Sequence, residues 1–186
     1  ENAIRECGED TEVISIPVAD GGEGTVDCFL SALGGRKIQA QVTGVFGQPM
    51  TSFYGMLPDG RTAVIEMAAC AGLPLVKGEP NPEKATTYGV GELMLAAVRE
   101  GARHIIVGLG GSATNDGGCG AAAAAGVVFR DSAGRSFVPA GGSLCDIARV
   151  ELSGFAPALR DIPITVMCDI DNPLFGETGS ASVFAP

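Results

Sequence analysis

Apolar positions along this chain recur with two periods, and the switches between them mark out its elements. VISIPVA, residues 13–19, reads as a strand whose proline suits an edge or an end. It runs into DGGEGT, after which Val26, Phe29, Leu30 and Leu33 recur at helical spacing until Gly34 and Gly35 stop the helix. KIQAQVTG alternates as a half-buried strand does, and MLPDGRTAVIEM reverses direction at Pro58, Asp59 and Gly60. Glu66 closes the strand after that turn. A loop over 76–84 leads to Val90, Leu93, Met94, Ala97 and Val98, one face of a second helix ended by Gly101. HIIVGL is then a strand, GLGGSATNDGG a loop and CGAAAAAG a helix, so residues 64–126 alternate strand, helix, strand, helix. VVFRDSAGRSFV predicts a hairpin around Ser132, Ala133 and Gly134, SLCDIARV a short helix and ITVMCDI a last strand. The first residues read as the tail of a helix with Ala3, Ile4 and Cys7 on one face.

This alternation makes an α/β chain, and charge narrows what such a chain handles. Twelve basic residues stand against twenty-two acidic ones, a formal charge of -10, which argues against nucleic acid or an anionic membrane as partner. The longest apolar run, AAAAAGVVF, is too short to cross a bilayer, and a cytoplasmic protein is expected. Six cysteines without a CxxC pair are expected to be reduced and buried. The single histidine, His104, argues against a histidine zinc site or a Ser-His-Asp triad and is expected to be structural. None of the three lysines, Lys37, Lys77 and Lys84, lies in a glycine loop, so a bound phosphate would depend on backbone amides and a divalent cation.

Three polar loops follow predicted strands: Asp20, Glu23 and Thr25 in ADGGEGT; Ser112, Thr114, Asn115 and Asp116 in GGSATNDGG; Asp169, Asp171 and Asn172 in CDIDNP. Ligands of open α/β sheets bind outside the carboxyl ends of strands, so the three are expected to converge. GLGGSATNDGG, placed between a strand and a helix N-terminus, is built for an anion, or equally for close packing by glycine alone. The acidic loops suit a metal, a substrate hydroxyl or proton acceptance during phosphoryl transfer, or else a helix start and an ordinary turn. No GK[ST] follows the glycines, so this is not a Walker A loop. Gly108, Gly110 and Ala113, with Asp131 downstream, also fit a dinucleotide fingerprint, although the polar run TNDGG continues where that motif wants an apolar helix.

Taken together, PVADGGEGT, VTGVFGQP, TAVIEMAACAGLPLV, NPEKATTYGVGEL, GLGGSATNDGGCG, LSGFAPAL and CDIDNPLFGETGSASVFAP resemble the glycerate kinase family of the bacterial glycerate 2-kinase type. The resemblance implies transfer of the ATP γ-phosphoryl group to D-glycerate, 2-phosphoglycerate favoured, with Mg²⁺ accompanying the nucleotide. It also implies two α/β domains, one Rossmann-like, with the active site between them. The family's opening loop, of the form DSFKGSL, and its long glycine-rich C-terminal portion are not in this sequence. The chain is therefore expected to be a partial-length segment: residues 1–19 a remnant of the Rossmann-like domain, residues 20–186 the second, non-Rossmann α/β domain. Within that frame, amides around Gly110, Gly111 and Ser112 hold phosphate, and Ser112, Thr114 and Asn115 orient it. Asp169 or Asp116 accepts the hydroxyl proton, Asp20 or Glu23 lies nearer metal or substrate, and Glu66 and Asn172 join the substrate site. A nicotinamide oxidoreductase and a non-catalytic module for a small acid are the alternative readings.

Overall fold

A computed structural model describes residues 14, 16–78 and 80–185, so the predicted helix tail at Ala3, Ile4 and Cys7 lies outside the described residues. The architecture is mixed α/β. Helix α1 (Thr25–Leu33) leads into strands β1 (Arg36–Thr43), β2 (Pro49–Met56) and β3 (Thr62–Glu66). A short helix α2 (Ala68–Ala71), the long helix α3 (Tyr88–Arg99), β4 (His104–Gly108) and α4 (Cys119–Ala124) follow. Then come β5 (Val128–Arg130), β6 (Ser136–Phe137), β7 (Arg149–Glu151), α5 (Pro157–Arg160), β8 (Ile164–Met167) and α6 (Ser180–Phe184). The main sheet has the order β1-β2-β3-β4-β8, antiparallel across β1, β2 and β3 and parallel across β3, β4 and β8. A second, antiparallel sheet of three strands has the order β6-β5-β7.

The predicted turns hold because their chemistry is local. Asp59 Oδ1 accepts the amides of Arg61 and Thr62 at 2.8 Å each and closes the β2–β3 reversal. The carboxylate of Asp131 does the same for the β5–β6 turn, accepting the amides of Ala133 and Arg135 at 2.9 Å. The segment near SLCDIARV is a 3₁₀ turn, Gly141–Asp146, in place of an α-helix.

Strand β3 is buried on both faces, as a central strand must be. Ala63 and Ile65 join Tyr54, Met56, Val90, Leu93, Ile105 and Val107 in the main cluster, while Glu66, on the alternate face, meets α1 at Val26. The opposite holds at the sheet's edge. In β8, Ile164 and Val166 are 46% and 53% exposed.

Two expectations fail. The described part of VISIPVA forms no strand, and Ile14, Ile16 and Val18 are 74%, 75% and 88% exposed. Alternation specifies a strand only where a neighbour supplies backbone partners, and no strand among the described residues lies beside it. The cysteines are also not uniformly buried: Cys145 and Cys168 are exposed, Cys28 and Cys119 half-buried. Cys70 is buried, and desolvation, with the Glu92 carboxylate second, pushes its thiol up to about 12.

Candidate functional site

The carboxyl ends of β3, β4 and β8 are stitched together by backbone bonds. The Met67 amide donates to Gly108 O at 3.0 Å, and the Leu109 amide donates to Met167 O at 3.1 Å. Across this junction lies DGGEG, held by the Gly110 amide donating to Gly21 O at 3.1 Å. The contact is so close that a Cβ on Gly108 would stand 2.2 Å from Gly21 O, and Gly21 itself, at φ +97°, abuts Met167 O. Glycine at 108 is therefore required by loop-on-loop packing. Gly108→Ala is expected to lift DGGEG from the junction and destabilise by about 1–3 kcal/mol, read as a lower thermal midpoint. A midpoint equal to that of the parent would contradict the contact.

Of the candidate phosphate amides, that of Gly110 is already engaged by Gly21. Those of Gly111 and Ser112 have no protein acceptor among the described residues. Both sit on a braced segment, because the Leu73 amide donates to Gly111 O at 2.9 Å and the Ala113 amide to Ala71 O at 2.8 Å. The Ser112 hydroxyl accepts the Thr114 amide at 3.1 Å and pairs with the Thr114 hydroxyl at 2.8 Å, and Asn115 is half-buried. Glu23 is exposed and lies beside Gly111. Asp20 is exposed as well, one carboxylate oxygen accepting the Gly22 amide at 2.9 Å.

Glu66 is 4% exposed, and its Oε2 accepts the Val26 amide at 2.9 Å. It caps α1 from across the fold, where the N-cap residue is Gly24 and offers no side chain. The neighbouring Thr25 hydroxyl is buried without a hydrogen-bond partner among the described residues. Asp169 and Asp171 are exposed beyond the end of β8. Asn172 donates from Nδ2 to Thr178 O at 2.9 Å, which folds its loop back on itself.

Asp116 differs from the other acids. It is 1% exposed, and four donors converge on its carboxylate: the Thr87 amide at 2.8 Å, the Thr87 hydroxyl at 2.9 Å, the Gly118 amide at 3.0 Å and the Gly120 amide at 3.1 Å. The Thr87 hydroxyl in turn accepts the Ala121 amide at 2.9 Å. The start of α4, which the sequence marks as an anion site, is thus filled by the protein's own carboxylate. A Cβ on Gly120 would stand 2.7 Å from both Asp116 Oδ2 and the Tyr88 nitrogen, so only glycine fits there. Burial first, and the Asp116 charge second, push the Cys119 thiol above its ordinary range. Sequence reading gave Thr87 no role; a threonine at the N-cap of a strongly periodic helix was the available signal.

The dinucleotide fingerprint loses its parts. Its helix, α4, spans six residues with an occupied N-terminus. Its distal acid, Asp131, is committed to the β5–β6 turn. His104, at the opposite end of β4, meets the Thr165 hydroxyl at 2.8 Å, in keeping with a structural place.

The sequence profile of the glycerate kinase family matches residues 1–186. The chain belongs to the glycerate kinase family. It is 50% identical to a glycerate kinase of Bacillus subtilis over 92% of this chain and 45% of that protein. To a glycerate 2-kinase of Escherichia coli it is 45% identical, over all of this chain and 49% of the relative. A solved structure described as glycerate kinase 2 from Salmonella typhimurium LT2 superimposes with a TM-score of 0.87 at 43% identity, covering 98% of this chain and 50% of the other. The chain thus spans about half the length of the glycerate kinases it matches.

Proposed function

We propose that this chain supplies one wall of a kinase active site in which the γ-phosphoryl group of ATP passes to a hydroxyl of D-glycerate. The observation that carries the reading is the junction at the ends of β3, β4 and β8, where the unengaged Gly111 and Ser112 amides sit beside Glu23, with Asp20 in the adjoining loop and Asp169 just past β8. Amides suit phosphate oxygens, and the carboxylates suit a metal and a hydroxyl proton. Asp169 accepts the glycerate hydroxyl proton; Ser112, Thr114 and Asn115 orient the phosphate; Glu66 and Asn172 support the substrate side. Asp116, with its carboxylate fully engaged, acts by fixing the loop. The Escherichia coli relative is a glycerate 2-kinase, which favours 2-phosphoglycerate as product.

Among the described residues no three His, Cys, Asp or Glu side chains cluster to hold a metal by themselves. Magnesium that arrives on a nucleotide needs only one or two carboxylates, and the exposed Asp20 and Glu23 fit that demand. Bound there, it would neutralise phosphate charge. In this reading residues 20–186 are the second α/β domain, and residues 1–19 belong to a Rossmann-like one. No described helix is long and apolar enough to cross a membrane; a cytoplasmic place is part of the same proposal.

The test is ³¹P NMR of D-glycerate with MgATP, using this chain and, in parallel, a polypeptide that adds the half present in the relatives. A new phosphoglycerate signal is expected from the longer polypeptide, a proton-coupled doublet for the 2-phosphate and a triplet for the 3-phosphate. Intact ATP and no product from the longer polypeptide would end the kinase reading.

A further inference from the structure

A cavity of about 360 Å³ lies outside the junction, lined chiefly by Phe46, Lys84, Thr86, Tyr88, Val138 and Pro139. Its polar and aromatic side chains come from VTGVFGQP and NPEKATTYGVGEL, two of the stretches that carry the family resemblance. Among the described residues no carboxylate lines it, in a chain whose formal charge is -10, while one of only three lysines does. Phe46 and Val138 are 42% and 50% exposed, so apolar surface is left open to a ligand. Tyr88 is fixed at the first turn of α3, its amide donating to the Thr86 hydroxyl at 3.2 Å. The cavity also adjoins the glycine loop. Thr86 precedes Thr87, which grips Asp116, and Gly141, next to the lining residue Ala140, packs against the Asn115 carbonyl.

An aromatic ring, aliphatic walls, hydroxyls and one cation together suit a flat heterocycle on a sugar that carries negative charge. We propose that this cavity receives the base and ribose of an adenine nucleotide, with Lys84 beside its phosphates. The choice of adenine rests on the kinase reading; the ring-and-anion chemistry rests on the cavity. Phe46 and Tyr88 give the base its apolar contact, and Thr86 and Lys84 give the polar end its partners.

Calorimetric titration of this chain with the non-hydrolysable analogue AMP-PNP, with adenosine and with tripolyphosphate tests the proposal without turnover. AMP-PNP is expected to bind more tightly than tripolyphosphate. Phe46→Ala is expected to weaken AMP-PNP and adenosine by about tenfold, the size of a lost base–aromatic contact. Lys84→Ala is expected to weaken AMP-PNP by about tenfold and leave adenosine unchanged. Phe46 and Lys84 are both exposed, so the fold should survive, and unchanged thermal midpoints verify it. Absence of AMP-PNP binding, binding indifferent to both substitutions, or tripolyphosphate binding as tightly as AMP-PNP overturns the proposal. Phosphorylation of glycerate by the longer polypeptide is a separate readout. A chain that binds AMP-PNP through Phe46 beside a longer polypeptide that makes no phosphoglycerate sinks the kinase reading alone.

Discussion

Replacing Asp116 by alanine is expected to lower the stability of the chain by about 3 kcal/mol or more, read as a lower urea midpoint at constant slope. The buried amides of Thr87 and Gly120, the buried Thr87 hydroxyl and the partly buried amide of Gly118 lose their acceptor together. Each orphaned buried donor costs about 1–3 kcal/mol, with relaxation and water entry recovering part of the sum. The damage spreads because one carboxylate ties the start of α3 to the start of α4. Asp116→Asn keeps the shape but turns an NH₂ group toward donors, so it should recover only part of the loss. A midpoint within about 1 kcal/mol of the parent would mean that the clasp is not a stabilising unit.

The other large effect falls on turnover. In a polypeptide that joins this segment to the half present in its relatives, Asp169→Asn is expected to lower kcat by about 10²–10⁴-fold, the contribution of a positioned general base. Asp169 is exposed, so stability should change little. The glycerate KM should move far less than kcat, because proton acceptance belongs to the transition state. Turnover equal to that of the parent would move the base to another carboxylate, with Asp20 and Glu23 next to be tested.

What could be read from the sequence was what depends on near neighbours. The turn at Asp59 is closed by amides two and three residues away, and α3 announces itself through its own period. The convergence of DGGEG with GLGG was legible too, since both loops follow apolar runs and both are rich in glycine. Their glycines were harder to interpret. Space for a ligand and space for another loop demand the same residue, and only the clash that a Cβ on Gly108 would make with Gly21 O separates the two. Asp116 was hidden for a different reason: its partner Thr87 lies 29 residues upstream, and nothing local distinguishes a buried acceptor from an exposed base. Helices of four residues, α2 and α5, are too short for any period to show.

Met167 has two duties that bear on how this chain behaves. It ends β8, the edge strand among the described residues, and its carbonyl receives the Leu109 amide while lying against Gly21. A partner that covered Ile164 and Val166 would bear on β8, and through the Met167 carbonyl on the loops above it. Such a coupling is reciprocal: a ligand that tightened those loops would raise the affinity of the edge for its cover by the same factor. Edge and loops are two handles on one equilibrium.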